Sequence, residues 1–235
     1  SEAAWLLGRS QIEQKKPADA VKTLDAGIAA YKPTPTESVS MLANMQFSRI
    51  EALAAQPNLR KTTPALFVDF AGKNVDHPRA AEAVYRAAFV SLEAADFANA
   101  KTYAESFLAN PKFAKHEFTP ELLFIAAESY LLAATPDIAK AQASYQRLIT
   151  EFAMSQQVSM ARLRIGYCLY SLKQYPQAVA HLTPLAPTLK NPDHKAEAFL
   201  LLGRSQMDSK QDAPAVASFR LAVQANPKWS RGDEV

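Results

Sequence analysis

The chain of 235 residues has one cysteine, six glycines and no long apolar run. With Cys168 alone, neither an internal disulfide nor a multi-cysteine metal site can form, and its place in an apolar run predicts a packed side chain. So few glycines, together with abundant alanine, favour helices over a β-rich or loop-rich fold. Because no stretch of about 18 uninterrupted apolar residues occurs, we expect no direct insertion into a membrane.

Concentrated charge of one sign is also lacking. The formal net charge is +3, and the densest basic sites, Lys15-Lys16 and Arg162 with Arg164, are short. Proteins that bind nucleic acid usually gather Lys and Arg into a stripe or patch. The sequence therefore predicts no nucleic-acid partner.

Patterns typical of catalytic and metal sites are missing too. No two histidines have the four-residue helical spacing that would place two imidazoles on one metal ion, the four being His77, His116, His181 and His194. There is no Gly-rich phosphate loop and no G-x-S-x-G elbow. We therefore expect no enzyme activity, no catalytic residue, no metal site and no cofactor.

What the chain does contain is an internal repeat. The hexapeptide LLGRSQ occurs at residues 6–11 and again at residues 201–206. Weaker echoes align on a small residue, with spacings of 40, 40, 39, 39 and 37, at Gly8, Ser48, Ala88, Ala127, Gly166 and Gly203. A fixed period of this length is typical of stacked repeat proteins.

A second small residue follows in five of the six repeats, namely Ala20, Ala100, Ala141, Ala178 and Ala215. Apolar or small residues come four and then three positions later, and these spacings place the side chains on one helix face. Each repeat is therefore predicted to be a pair of helices that cross closely at the small residues.

Prolines support this division into helix pairs. The sequences TPE at residues 119–121 and TPD at residues 135–137 each predict an N-cap threonine, a first-turn proline and a carboxylate that favours the helix dipole. Residues 32–36 contain two prolines and are predicted to link the first and second pairs. The second helix of the second pair, over residues 62–72, is expected to be irregular because Pro64 and Asp69 interrupt it.

The pattern resembles the tetratricopeptide repeat, and the last repeat matches its signature best, through Leu202, Gly203, Ala215, Phe219, Ala222 and Pro227. The resemblance implies an all-α fold, a right-handed α-solenoid of about six helix-turn-helix pairs in a single domain. The approximate repeats are residues 1–35, 36–76, 77–114, 118–154, 156–191 and 192–228, followed by a tail at 229–235.

The spacing of 37 to 40 residues exceeds the roughly 34 residues of that family. Long spacing is similar to that of bacterial cell-envelope members of the family, so the periplasm or cell envelope is favoured over the cytoplasm. Because the chain begins within a helical pattern, we expect a piece that has been excised or processed from a longer protein.

The resemblance also implies a binding surface, because in this family the first helix of each pair lines the concave face. Arginine and aromatic side chains at the inward-facing positions are favourable anchors for a peptide. These positions carry Trp5, Arg9, Arg49, Tyr85, Phe89, Phe124, Tyr167, Tyr170 and Arg204. For the aromatic residues, packing against the neighbouring helix is an equally good interpretation.

Two functions fit these observations. The first is a non-catalytic scaffold for protein–protein interaction that binds a peptide or helix on its concave face. The alternative is a structural segment of a larger envelope protein that self-associates into a homo-oligomer, since the ends of repeat arrays are apolar unless they are capped.

Overall fold

A computed structural model describes residues 1–33 and 40–229. These residues form α-helices and three short 3-10 helices (Arg60–Thr62, Pro111–Phe113 and Ala186–Thr188), and no β-strand occurs among them. The α-helices are α1 Glu2–Glu13, α2 Pro17–Ala29, α3 Met41–Ala54, α4 Thr63–Lys73, α5 Ala80–Glu93, α6 Phe97–Leu108, α7 Thr119–Leu132, α8 Ile138–Glu151, α9 Val158–Ser171, α10 Tyr175–Leu185, α11 Pro192–Asp208 and α12 Asp212–Ala225. The predicted all-α class is confirmed.

Each of the six predicted repeats contains two of these helices, although the boundaries between repeats stay a prediction. By compactness the chain divides into two units, residues 1–129 (unit 1) and residues 130–235 (unit 2). In unit 1, α1 to α6 pack in sequence and α1 also contacts α3; in unit 2, α8 to α12 pack in sequence and α9 also contacts α11. Part of the predicted linker at 32–36, and the predicted tail beyond Trp229, lie outside the described residues.

Small residues lie where the two helices of a pair cross, as the repeat predicts. A Cβ atom added to Gly8 would lie 2.6 Å from Leu24, and one added to Gly203 would lie 2.5 Å from Phe219. Gly166 packs in the same way against Leu182. Because atoms in a packed interior cannot approach so closely, these positions admit no side chain unless the opposite side chain or its helix moves.

The predicted helix starts are only partly right. Asp137, and not Thr135, is the N-cap of α8, and its carboxylate accepts a hydrogen bond from the Lys140 backbone N–H at 3.0 Å. Asp137 directly precedes the first residue of α8 and can accept this bond, whereas Thr135 lies two residues further from the helix. Thr119 is the first residue of α7, and its hydroxyl donates to the Phe113 carbonyl at 2.6 Å, so it fixes the preceding loop.

The expected irregularity of the second pair is wrong. Residues 63–73 form a regular α-helix, because Pro64 lies in its first turn, where a missing N–H costs nothing. Phe67 and Phe70 of this helix are buried against Phe47 of α3, with ring centroids 5.6 and 5.2 Å apart.

Four turns between paired helices share one backbone geometry. The left-handed residues are Lys15, Ala95, Lys173 and Lys210, with φ between 57° and 59°. The residue after each donates its backbone N–H to the carbonyl five residues earlier, at 2.8–2.9 Å. This hydrogen-bond pattern is the Schellman motif, in which glycine usually occupies the left-handed position.

Candidate functional site

The nine predicted site residues all lie on the first helices of their pairs, and they fall into two sets. Unit 1 holds Trp5 and Arg9 on α1, Arg49 on α3, Tyr85 and Phe89 on α5, and Phe124 on α7; unit 2 holds Tyr167 and Tyr170 on α9 and Arg204 on α11. Each unit therefore carries its own candidate surface.

Trp5 and Arg9 form a pair on α1. The indole Nε1 of Trp5 donates a hydrogen bond to the Ser48 hydroxyl on α3 at 3.1 Å, so this half-buried ring connects two neighbouring first helices. The exposed Arg9 guanidinium lies 5.6 Å from the centroid of the indole ring. A cation at this distance is attracted by the face of the ring, which restrains the guanidinium at the surface.

Arg49 on the next first helix pairs with a carboxylate of its own protein. Its guanidinium makes an ion pair with Asp25 of α2, and both side chains are substantially exposed to solvent. Exposed ion pairs contribute little to stability, so a ligand carboxylate could replace Asp25 at small cost.

Tyr85 and Phe89 belong to a row of aromatic rings. The ring of Tyr85 stacks on Phe118 with centroids 4.7 Å apart and planes 5° apart, and Phe89 lies 6.0 Å from Tyr85. His116 continues the row, 5.2 Å from Phe118. Burial, and then the carboxylates of Glu121, Glu93 and Glu82, raise the pKa of the Tyr85 hydroxyl, while Arg86 lowers it.

Phe118 is not among the predicted site residues, although one feature of the sequence indicates that it packs against a helix. An apolar residue directly before a helix often packs against the first turns of that helix and fixes the direction of the entering chain. Phe118 precedes α7 and covers Tyr85. Phe124, the sixth predicted residue in unit 1, is partly buried. Tyr85 and Phe89 both pack against the apolar core of α5, α6 and α7, so they are packing residues as well as surface residues.

An ion network connects α3 to α5. Arg79 donates to Glu82 at 2.8 Å and to Glu51 of α3 at 3.1 Å, and Arg86 lies 3.2 Å from Glu82. The Arg79 guanidinium also lies 3.5 Å from the centroid of the Phe47 ring. Burial alone would raise the pKa of Glu82, but hydrogen bonds and charge from Arg79 and Arg86 outweigh it, so the pKa is lowered.

In unit 2, α9, the first residue of α10 and α11 carry three tyrosines, an arginine and an aspartate. We call Tyr167, Tyr170, Tyr175, Arg204 and Asp208 the tyrosine patch. Tyr167 is 39% exposed, and the rings of Tyr170 and Tyr175 have centroids 5.6 Å apart. Burial and a hydrogen bond with Asp208 raise the pKa of the Tyr170 hydroxyl, while the charge of Arg204 lowers it.

An ion pair also ties α9 and α11 together. Arg164 of α9 donates to Glu197 of α11 at 3.3 Å, and both side chains are mostly buried. Four of the five residues of the tyrosine patch therefore lie on two helices that pack on each other and are joined by a charged contact, and Tyr175 lies at the start of α10. A surface held on rigid helices loses little conformational entropy when it binds a partner.

His77, His181 and the single cysteine also make contacts within the fold. The ring of His77 accepts from the Arg79 backbone N–H at 3.1 Å, and the ring of His181 contacts the Arg162 carbonyl at 2.8 Å. Cys168 is fully buried. Among the described residues, no cluster of three or more His, Cys, Asp or Glu side chains could hold a metal ion.

No helix in the described part of the chain has the length and apolar character needed to cross a membrane.

Comparison with solved structures identifies similar folds. YrrB, described as a tetratricopeptide-repeat protein with an unusual peptide-binding site, superposes with a TM-score of 0.59 at 18% identity, over 78% of this chain and 87% of that one. PilF of Pseudomonas aeruginosa gives 0.60 at 13% identity, over 99% and 95%. The apo quorum sensor NprR of B. thuringiensis gives 0.61 at 13% identity, over 98% and 66%. No protein-family model and no curated protein matches the sequence.

Proposed function

The chain has the tetratricopeptide-repeat fold, and from this premise we propose that it is a non-catalytic protein-interaction module. It binds a peptide or helix on the surface formed by the first helices of its pairs, the predicted concave face. The observation that carries the proposal is the tyrosine patch, in which Tyr167 of α9 is 39% exposed and Arg204 lies on α11, which packs against α9. Tyrosine and arginine are enriched among the residues that contribute most to protein–protein binding.

The surface of unit 1 supports the same proposal with different chemistry. The exposed Arg9 beside the Trp5 ring offers a cation next to an apolar surface, and such a pair suits a carboxylate or a peptide backbone carbonyl. Tyr85 and Phe89 add apolar area that is already fixed by packing. YrrB, a protein of similar fold, has a peptide-binding site, and this is consistent with the proposal.

A test begins with peptides selected by display on the whole chain. We expect the double substitution Tyr167→Ala with Arg204→Ala to weaken selected peptides by at least about tenfold, since it removes one aromatic and one charged anchor. Trp5→Ala with Arg9→Ala tests unit 1 in the same way. Fluorescence anisotropy measures the affinity, and circular dichroism checks that helicity is unchanged.

The matched control is Met154→Ala, which removes an apolar side chain that is 97% exposed and lies outside α8 and α9. If this control weakens the peptides as much as the double substitutions do, or if neither double substitution has an effect, the binding surface lies elsewhere.

Self-association is a second candidate function, favoured by a different observation. Leu6 and Leu7 of α1 are 54% and 52% exposed, and Val216 of α12 is 50% exposed. Exposed apolar side chains at adjacent positions are a typical feature of interaction surfaces. A second copy of the chain that covers α1 would make the protein a homo-oligomer, and its oligomeric state at several concentrations tests this.

A further inference from the structure

An open groove of about 900 Å³ lies in unit 2, away from the tyrosine patch. Its floor is one face of α11, formed by Lys195, Phe199, Leu202 and Gln206. One wall is α12, and the opposite wall is the end of α10 with the 3-10 helix and loop that follow it.

The groove and the tyrosine patch use opposite faces of α11. Successive residues of an α-helix are rotated by about 100°, so Leu202 and Arg204 point about 200° apart. Phe199 and Gln206 share the direction of Leu202, because they lie three and four residues from it. An inference about the groove therefore does not depend on the proposed function of the tyrosine patch.

The groove is mainly apolar and accessible. Phe199 and Leu202 are only 7% and 4% exposed on its floor, whereas Leu221 of α12 is 42% exposed on its wall. Pro187 and Pro214 line the opposite sides. From Lys195 to Gln206 the floor extends for about 16 Å at 1.5 Å per residue. This length corresponds to about three turns of a helix.

The charge of the groove is one-sided. Lys190 and Lys195 line one end, and neither makes an ion pair with a described residue. No described acidic residue lines the groove. The carboxylate of Asp193, at the same end, accepts a hydrogen bond from the Asn226 side chain. The N-terminus of α11, which begins at Pro192, adds the positive end of a helix dipole.

The other end of the groove is polar but neutral. The Ser218 hydroxyl donates to the Gln206 side-chain oxygen at 2.7 Å, and both residues are buried. Because these two groups satisfy each other, they do not demand a charged ligand group. An occupant is thus expected to be apolar along its length and negatively charged at the end near the lysines.

We propose that this groove binds a short amphipathic helix of a protein partner, with acidic residues at the end next to Lys190 and Lys195. The residues on the floor recur at intervals of four, three and four, which is the spacing that accepts the apolar ridge of another helix. A small amphiphile fits less well, because most of its surface would stay exposed in a groove open along one side.

The experiment uses two synthetic peptides of about 14 residues with identical leucines at intervals of four, three and four, corresponding to about four helical turns. One peptide carries glutamates at its end positions, and the other carries lysines at the same positions. Fluorescence anisotropy with the whole chain is expected to show saturable binding of the glutamate peptide, at least about tenfold tighter than that of the lysine peptide.

Two substitutions identify the groove. Leu221→Asp should weaken the glutamate peptide by at least about tenfold, because it places a carboxylate on the apolar wall. Val223→Asp is the matched control: Val223 lies two residues further along α12, is 45% exposed, and does not line the groove. If Leu221→Asp lowers helicity, Lys190→Glu with Lys195→Glu replaces it, and this pair should reverse the preference between the two peptides.

Four results would overturn the proposal. The first is equal affinity for the two peptides, and the second is a loss of affinity with Val223→Asp that equals the loss with Leu221→Asp. The third is displacement of the glutamate peptide by dodecanoate at a lower concentration than is needed with unlabelled peptide. The fourth is a wild-type oligomer that Leu221→Asp dissociates in sedimentation experiments. The third result would assign the groove to an apolar anion, and the fourth would assign it to a second copy of the chain.

Discussion

Trp5 and Tyr85 each combine an internal contact with a partly exposed surface. The indole of Trp5 donates to Ser48, and the ring of Tyr85 stacks on Phe118. A ring that is already held in one orientation loses little freedom when a ligand covers its remaining face. The same residue can therefore serve both for packing and for binding in this protein, because a side-chain orientation that is fixed by internal contacts favours both roles.

Also at the scale of the residue, the ion network around Arg79 predicts that the free energy of unfolding depends on pH. The pKa of Glu82 is below its ordinary value of 4.5, so its contribution is complete above that value and is lost as the pH falls toward the lower, folded-state pKa. At pH 7, Glu82→Gln is expected to lower the free energy of unfolding by about 1–3 kcal/mol, because Arg79 and Arg86 lose a charged acceptor. Urea unfolding measures the difference.

The same comparison at about pH 3.5 should show a smaller difference between the wild type and Glu82→Gln, since Glu82 is then mostly protonated in the unfolded state, where its pKa has the ordinary value of 4.5. Glu13→Gln removes an exposed carboxylate outside the network and serves as the control. A difference for Glu82→Gln that is equal at both pH values would contradict the assigned role of the network.

At the scale of the element, the left-handed turns are the common feature of the helix pairs. Ala95 between α5 and α6 has φ 57°, and the next residue, Asp96, donates its N–H to the Ser91 carbonyl at 2.9 Å. Asp96 is also the N-cap of α6, and its carboxylate accepts from the Asn99 N–H at 3.2 Å. One short segment thus ends one helix and begins the next, which fixes the crossing of the pair.

Ala95→Gly is expected to stabilise the protein by about 1 kcal/mol, because glycine adopts the left-handed conformation without the steric cost that a Cβ atom imposes. Ala94→Gly is the matched control. Ala94 has φ −82°, so glycine gains nothing there and should lower the stability. Thermal and urea unfolding compare the two variants, and equal effects would contradict the assignment of the strain to Ala95.

The helix pairs were predictable because their signals are local. Small residues at crossings, prolines near helix starts and apolar spacing of three and four all act within one or two helices, and Gly8, Gly166 and Gly203 lie against the predicted partners. The turns were not predicted, since lysine and alanine occupy positions where glycine would be the usual signal. Pro64 was misread because its effect depends on whether it lies in the first turn or the interior of a helix.

At the scale of the whole molecule, surface chemistry is distributed over two compact units. Unit 1 exposes Arg9 with Trp5 and the leucines of α1, and unit 2 exposes the tyrosine patch and the apolar groove. A repeat protein can carry separate binding surfaces because each repeat packs only on the neighbouring repeats and leaves its other faces accessible.

Self-association is tested at this scale. If a second copy covers α1, the sedimentation coefficient of the wild type should rise with concentration, and Leu6→Asp with Leu7→Asp should remain monomeric, because two carboxylates oppose burial of that surface. Met154→Asp, at a position that is 97% exposed, is the control. A wild-type chain that stays monomeric at all concentrations rules this function out.

The sequence by itself determined the all-α class, the paired helices and the small residues at their crossings, because these depend on helix periodicity and on side-chain volume at fixed spacing. It also placed the nine site residues on first helices. Only the tertiary structure decided their contacts, such as Tyr85 on Phe118 and Arg49 with Asp25, since these partners lie more than 20 residues apart in the chain. The groove over Leu202 likewise exists only where α10, α11 and α12 pack together.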